Sequence, residues 1–135
     1  VRIRVGTWNV QYARGVERNA HRRALLESRR ADVWVLTETH DELDLSSTHR
    51  PVHSSQRYTR AGGRWTTIWS SWPVLETLDV GDPHRCVAVR LDGGSSDVVV
   101  YGTVLPWLGD AGPDPDRPAR GWSEFARVTP VQAAE

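Results

Sequence analysis

Asn9 and Glu38 each close an apolar run, Asn9 at the end of Thr7-Trp8-Asn9 and Glu38 at the end of Leu36-Thr37-Glu38. An amide and a carboxylate are hard oxygen donors suited to Mg2+ or Mn2+. Such ions take only one or two protein carboxylates and keep room for water and substrate phosphate. Each residue also has a plainer use when seen singly, the Asn as a turn former and the Glu as a solvated strand end. His40 lies two residues after Glu38; on an extended strand both would face one side, so Glu-x-His is a further candidate metal pair. His49, His53 and His84 have no zinc-like spacing, and His21 falls on the polar side of a predicted helix, so these read as surface residues. Trp65, Trp69 and Trp72 offer a base-stacking platform for single-stranded nucleic acid, with core packing as the competing use. Trp8 and Trp34 sit inside apolar runs and belong to the core. Cys86, the single cysteine, reads as a small buried residue on a strand.

The elements that must position Asn9 and Glu38 are legible from periodicity. Arg2–Trp8 alternates, with Ile3 and Val5 on one face, and predicts a strand. Gly15–Arg30 has helical spacing, with Val16, Ala20, Ala24 or Leu25, and Leu26 as the apolar stripe and Arg18, Arg22 and Arg29 on the wet side. Val33–Thr37 is near-continuously apolar, so strand, helix and strand form a crossover that makes the two strands parallel. Asn9 and Glu38 then fall at the carboxyl ends of adjacent parallel strands, where α/β sheets bind ligands. Thr39–Pro51 reads as loop or weak strand, and Arg57–Thr59, Arg64–Ser70 and Pro73–Leu78 as short strands. Arg85–Leu91 and Asp97–Leu105 form a hairpin around Asp92-Gly93-Gly94-Ser95-Ser96. The second of these strands is apolar on both faces and reads as central. Trp107–Pro118 is a loop, and Gly121–Val128 a short helical segment. Thr129-Pro130-Val131-Gln132 has the pattern of a capping box and predicts a helix starting at Thr129.

These motifs resemble the amino-terminal half of the endonuclease/exonuclease/phosphatase superfamily, whose members read "apolar strand, T-W-N", helix, then "D-apolar-apolar-apolar-L-Q-E". Here the matching stretches are Val5-Gly6-Thr7-Trp8-Asn9 and Ala31-Asp32-Val33-Trp34-Val35-Leu36-Thr37-Glu38. The resemblance continues more loosely through 65–73, 86–91 and 98–107. It implies an α/β fold, half of a four-layer two-sheet sandwich with outer helices and a mixed sheet, residues 1–135 being a partial domain whose carboxyl-terminal half is absent. The implied activity is metal-dependent hydrolysis of phosphate mono- or diesters, of nuclease or phosphatase type. Glu38 would ligate Mg2+ or Mn2+, and Asn9 would orient phosphate or metal-bound water as a catalytic and metal-side residue. The implied partner is a phosphoester substrate, nucleic acid among the options.

Departures from the family pattern bear on activity. Thr37 replaces the usual Gln. Gly102 and Val104 stand where members carry Asn and then His or Tyr, and neither side chain bonds a phosphate or moves a proton. The family's "G-D-x-N" and "S-D-H" motifs have no match; Gly81-Asp82-Pro83-His84 and Gly109-Asp110-Ala111-Gly112 are the nearest strings and read as turn formers. The chain is therefore expected to be catalytically incomplete, with a non-catalytic remnant or a nucleic-acid or phosphoester binding module as the alternative.

Composition narrows the remaining classes. At 135 residues, with 39% hydrophobic and 25% charged residues, the chain suits one globular domain. No apolar run reaches the ~20 residues of a membrane helix, and no signal peptide precedes the first strand. With one cysteine, these features predict a cytoplasmic protein with no membrane partner. All 17 basic residues are Arg, which fits biased codon usage. Residues 1–30 hold eight Arg against Glu17 and Glu27, a net +6, and the remaining residues carry −6. A basic helix face near a phosphate site is one use of that asymmetry, a solvated helix exterior the other.

Overall fold

The structure is a computed structural model and describes residues 2–57, 61–110, 112–113 and 120–134. Seven strands and two helices follow one another as β1 (Val5–Asn9), α1 (Val16–Arg29), β2 (Val33–His40), β3 (Arg50–His53), β4 (Gly63–Ser70), β5 (Val74–Leu78), β6 (Val87–Asp92), β7 (Asp97–Gly102) and α2 (Ser123–Gln132). One sheet has the order β1-β2-β4-β3 and the other β5-β6-β7. Only β1 and β2 run parallel, as the crossover requires; the other pairs are antiparallel. The architecture is α/β, a partial two-sheet sandwich containing one mixed sheet.

Alternation along the strands divides the core in two. Val33, Val35 and Ile68 of the first sheet meet Val87, Val89, Leu91 and Val100 of the second, and this layer joins the sheets. On the outer face Trp34, Leu36 and Trp69 receive Leu26 of α1. Leu26 is 1% exposed, a burial that stabilises by roughly 1.5–3 kcal/mol. The ring of Trp34 lies where a Cβ at Gly6 would be, so the β1–β2 pair admits this indole only because residue 6 has no side chain.

Helix α1 exists where periodicity predicts it, but its inward face differs. Asn19 and Leu26 are buried, whereas Val16 is 88% and Leu25 45% exposed, and Ala20 and Ala24 are also exposed. The tight loop before the helix sets this phase: Asn19 Nδ2 donates to the Ala13 carbonyl at 2.6 Å, and its Oδ1 accepts from Arg22 at 3.0 Å. Amphipathic spacing carries no information about such an anchor.

Three other expectations change. β3 starts at the end of a stretch read as loop or weak strand and runs two residues past it, because Arg50–His53 pairs with the edge of β4. β7 is an edge strand, with Val99 60% exposed, and β6 takes the central place. No helix starts at Thr129: α2 runs from Ser123 to Gln132 with Pro130 inside it. Its buried residues Glu124, Val128 and Gln132 recur every four positions, and that stripe extends the helix through the would-be cap. The Thr129 hydroxyl is left buried without a hydrogen-bond partner among the described residues. The expected strand at Arg57–Thr59 falls partly outside the described residues; Gln56 forms an isolated bridge to Arg64. Among the described residues no helix is long and apolar enough to cross a membrane.

Candidate metal and phosphate site

Parallel pairing of β1 with β2 places Asn9 opposite Thr37, one residue short of Glu38. The last step is a backbone reversal, since Glu38 has φ +53°. Pairing with β4 is interrupted there and resumes in the same register, with Thr37 opposite Thr66 and Thr39 opposite Arg64. This departure from strand geometry turns the carboxylate toward β1, where Asn9 Nδ2 donates to Glu38 Oε1 at 2.9 Å. Asn9 Oδ1 accepts from the Gln11 backbone N–H at 2.9 Å, which fixes the amide orientation. Asn9 thus presents nitrogen, not oxygen, to Glu38.

The loop leaving Asn9 is strained. Gln11, Tyr12 and Ala13 have φ of 51°, 65° and 32°, a left-handed conformation that costs about 1–2 kcal/mol per residue without glycine. Strain of this kind persists only where surroundings enforce it, commonly at functional sites. Ties that hold the loop include Ala13 N–H to the Val10 carbonyl at 3.2 Å, Asn19 Nδ2 to the Ala13 carbonyl, and Gly15 N–H to Glu42 Oε2 at 2.8 Å. The Gly15–Glu42 bond joins the start of α1 to the segment just after Glu38.

His40 does not join Glu38 as a metal pair. Its Nε2 faces the Ala61 carbonyl at 3.1 Å and its Nδ1 accepts the Glu42 N–H at 3.1 Å, so both ring nitrogens are engaged with backbone. Among the described residues no group of three or more His, Cys, Asp or Glu is arranged to hold a metal. Nearby, Thr39 and Thr67 hydroxyls bond at 2.7 Å, and Thr67 Oγ1 also meets His53 Nδ1 at 3.0 Å. Burial, and then the charge of Arg64, lower the His53 pKa below its ordinary 6.5, with Asp41 opposing.

Of the two uses weighed for the tryptophans, core packing is the one found for Trp65 and Trp69. Trp65 and Trp69 are 6% and 5% exposed, so their faces are core surface. Around Trp65, however, lies a cluster that sequence spacing did not reveal. The Arg57 guanidinium carbon is 3.4 Å from the Trp65 ring centroid and 4.8 Å from that of Tyr12, while Trp107 is 4.8 Å from Trp65, tilted by 59°. Tyr12 and Trp107 come from loops far apart in sequence, so no local signal could have joined them.

The two Gly-Asp strings do more than turn the chain. Asp82 and Asp110 accept the backbone N–H of His84 and Gly112 at 3.2 and 2.9 Å, which is the turn role expected. Their outer oxygens also bind Arg85, at 2.9 and 2.8 Å, with Glu124 at 3.4 Å. Burial works against the charge on Arg85, but hydrogen bonds and charges from Asp110 and Asp82 more than offset it and raise its pKa. Gln132 Nε2 lies 3.3 Å from Asp82 Oδ2 and 3.3 Å from the Val104 carbonyl. Cys86 is buried beside this cluster, as expected, though one residue ahead of β6 and not on the strand, and it accepts the Tyr101 hydroxyl at 3.0 Å. Gly102 fills a close sheet-to-sheet approach: a Cβ there would lie 2.7 Å from Val35 Cγ1 and 2.9 Å from Thr66 Cγ2. An asparagine would not fit at that position without moving β2 or β4.

No protein-family model matches the sequence, and no curated protein matches it significantly. Solved structures do match. Truncated TDP2 from Caenorhabditis elegans superposes with a TM-score of 0.63 at 18% identity, over 77% of this chain and 46% of that one. The endonuclease domain of TRAS1, a telomere-specific non-LTR retrotransposon, gives 0.55 at 15% identity, over 93% and 53%. This chain therefore spans about half the length of these structures. At such identities the likeness establishes the fold, which is of the endonuclease/exonuclease/phosphatase type.

Proposed function

We propose that this chain carries the metal- and phosphate-facing part of a nuclease-type phosphoesterase centre, residues 1–135 forming part of one such domain. The observation that carries the reading is the 2.9 Å bond between Asn9 and Glu38 at the carboxyl ends of the two parallel strands. A single carboxylate with one oxygen held by an amide fits a Mg2+ or Mn2+ site, since these ions accept few protein ligands. Glu38 would hold the ion through its carboxylate, and Asn9 would orient that carboxylate while keeping a second N–H for a phosphate oxygen. When bound, such an ion neutralises charge on phosphoryl oxygens during displacement by water.

The chain's own residues supply position rather than proton transfer. Gly102, which has no side chain, and the Val104 side chain offer no donor or acceptor, and no group of three or more His, Cys, Asp or Glu is arranged to hold a metal among the described residues. Nucleic acid is the favoured phosphoester, in keeping with the net +6 of residues 1–30 and the attraction of basic surfaces for phosphate backbones. The lone cysteine, Cys86, fits a cytoplasmic setting. Hydrolysis of bis-p-nitrophenyl phosphate with Mg2+ tests the incompleteness of the centre: the 135-residue chain should show no turnover above its Glu38→Ala variant. Robust turnover that Glu38→Ala abolishes would show the centre to be complete.

A further inference from the structure

The cluster around Trp65 is not used by the chemistry above, yet it stands beside it. Trp65 lies across the β2–β4 ladder from Glu38, between the pairs Thr37–Thr66 and Thr39–Arg64. Tyr12, three residues past Asn9, is 6.3 Å from the Trp65 ring. At the far side Trp107 packs on Trp65 and is itself 41% exposed, flanked by Leu105 at 51% and Leu108 at 61%. Trp65 and Trp107 thus run from the ladder at Glu38 to a ring open to solvent.

Arg57 adds an independent observation. It is only 9% exposed, its Nη1 has no hydrogen-bond partner among the described residues, and no carboxylate pairs with it there. A buried cation without a carboxylate is costly; the faces of Trp65 and Tyr12 offset part of that cost. Among the described residues the guanidinium rests on the rings of Trp65 and Tyr12 with no carboxylate against it. An aromatic surface over a positive charge fits a ligand that is flat and anionic, which is the chemistry of a strand of bases and phosphates.

We propose that Trp107 is a stacking platform for a nucleobase of single-stranded nucleic acid, on the aromatic group that begins beside the Asn9–Glu38 pair, with Arg57 and Trp65 fixing its support. The proposal rests on the phosphoesterase reading for the identity of the strand. Leu105 and Leu108 border the ring and would shield the base edge from water. Basic residues of α1 supply the wider attraction for the backbone.

Binding without metal separates this proposal from the reading it rests on. Fluorescence anisotropy in EDTA compares a labelled 12-nucleotide thymidylate strand with an abasic strand of the same length and charge. The wild-type chain should bind the thymidylate strand about five- to a hundredfold more tightly, the range for one stacked base. Trp107→Ala should erase that preference while leaving abasic binding unchanged, and Trp107→Phe should keep part of it. Glu38→Gln should leave the preference intact, so a failed metal site does not mimic a failed platform. Equal wild-type affinity for the two strands overturns the proposal, a result that needs no variant to fold. So does a Trp107→Ala chain that keeps the preference, or that loses self-association instead, which would assign the loop to a protein contact.

Discussion

Arg85→Met is expected to destabilise the fold strongly, because of what it strands. The Arg85 side chain is 3% exposed, and the carboxylates around it are Asp82 at 9%, Asp110 at 4% and Glu124 at 1%. Glu124 keeps Arg127, whose nitrogens lie at 2.7 and 3.0 Å. Asp110 loses its ion pair, and Asp82 keeps only Gln132 and turn contacts. Removing one partner of a buried pair costs about 3–5 kcal/mol, against a total stability of about 5–15 kcal/mol for a domain. With a urea dependence of about 2 kcal/mol per molar, the unfolding midpoint followed by tryptophan fluorescence should fall by about 2 M. A deficit below about 1 kcal/mol, the range of exposed pairs, would refute this account of the cluster.

Gly6→Ala places a methyl inside the Trp34 ring and should cost about 1–3 kcal/mol as overpacking, with the thermal midpoint as the measure; an unchanged midpoint would mean that the indole can move aside. His53 has a folded pKa below 6.5, so the unfolded chain binds more protons in that window. Stability is therefore complete above 6.5 and declines as pH falls toward the folded value. His53→Gln should flatten thermal midpoints between pH 7 and 5, and an identical pH profile in the variant would remove His53 from the explanation.

Legibility in the sequence followed the range of the interactions. The β1-α1-β2 crossover was readable because apolar periodicity within about 30 residues encodes it, and the same reading put Asn9 and Glu38 at neighbouring strand ends. The phase of α1 was not readable, because it is set by Asn19 reaching back to the Ala13 carbonyl across a loop in which Gln11, Tyr12 and Ala13, and not only Gly15, have positive φ. The capping-box pattern at Thr129 lost to tertiary packing, in which Glu124 and Gln132 enter the Arg85 cluster. Asp82 and Asp110 showed their turn chemistry locally and their ion pairs only in three dimensions. Arg57, Tyr12, Trp65 and Trp107 likewise became a group only once the sheets were assembled.

Divalent metal binding tests the assignment of Glu38 most directly and does not require turnover. Mn2+ titrated into the chain and followed by the loss of its free-ion electron paramagnetic resonance signal should reveal a site that Glu38→Ala abolishes and Asn9→Ala weakens. Equal Mn2+ binding by the wild-type and Glu38→Ala chains would contradict the assignment of the metal to Glu38.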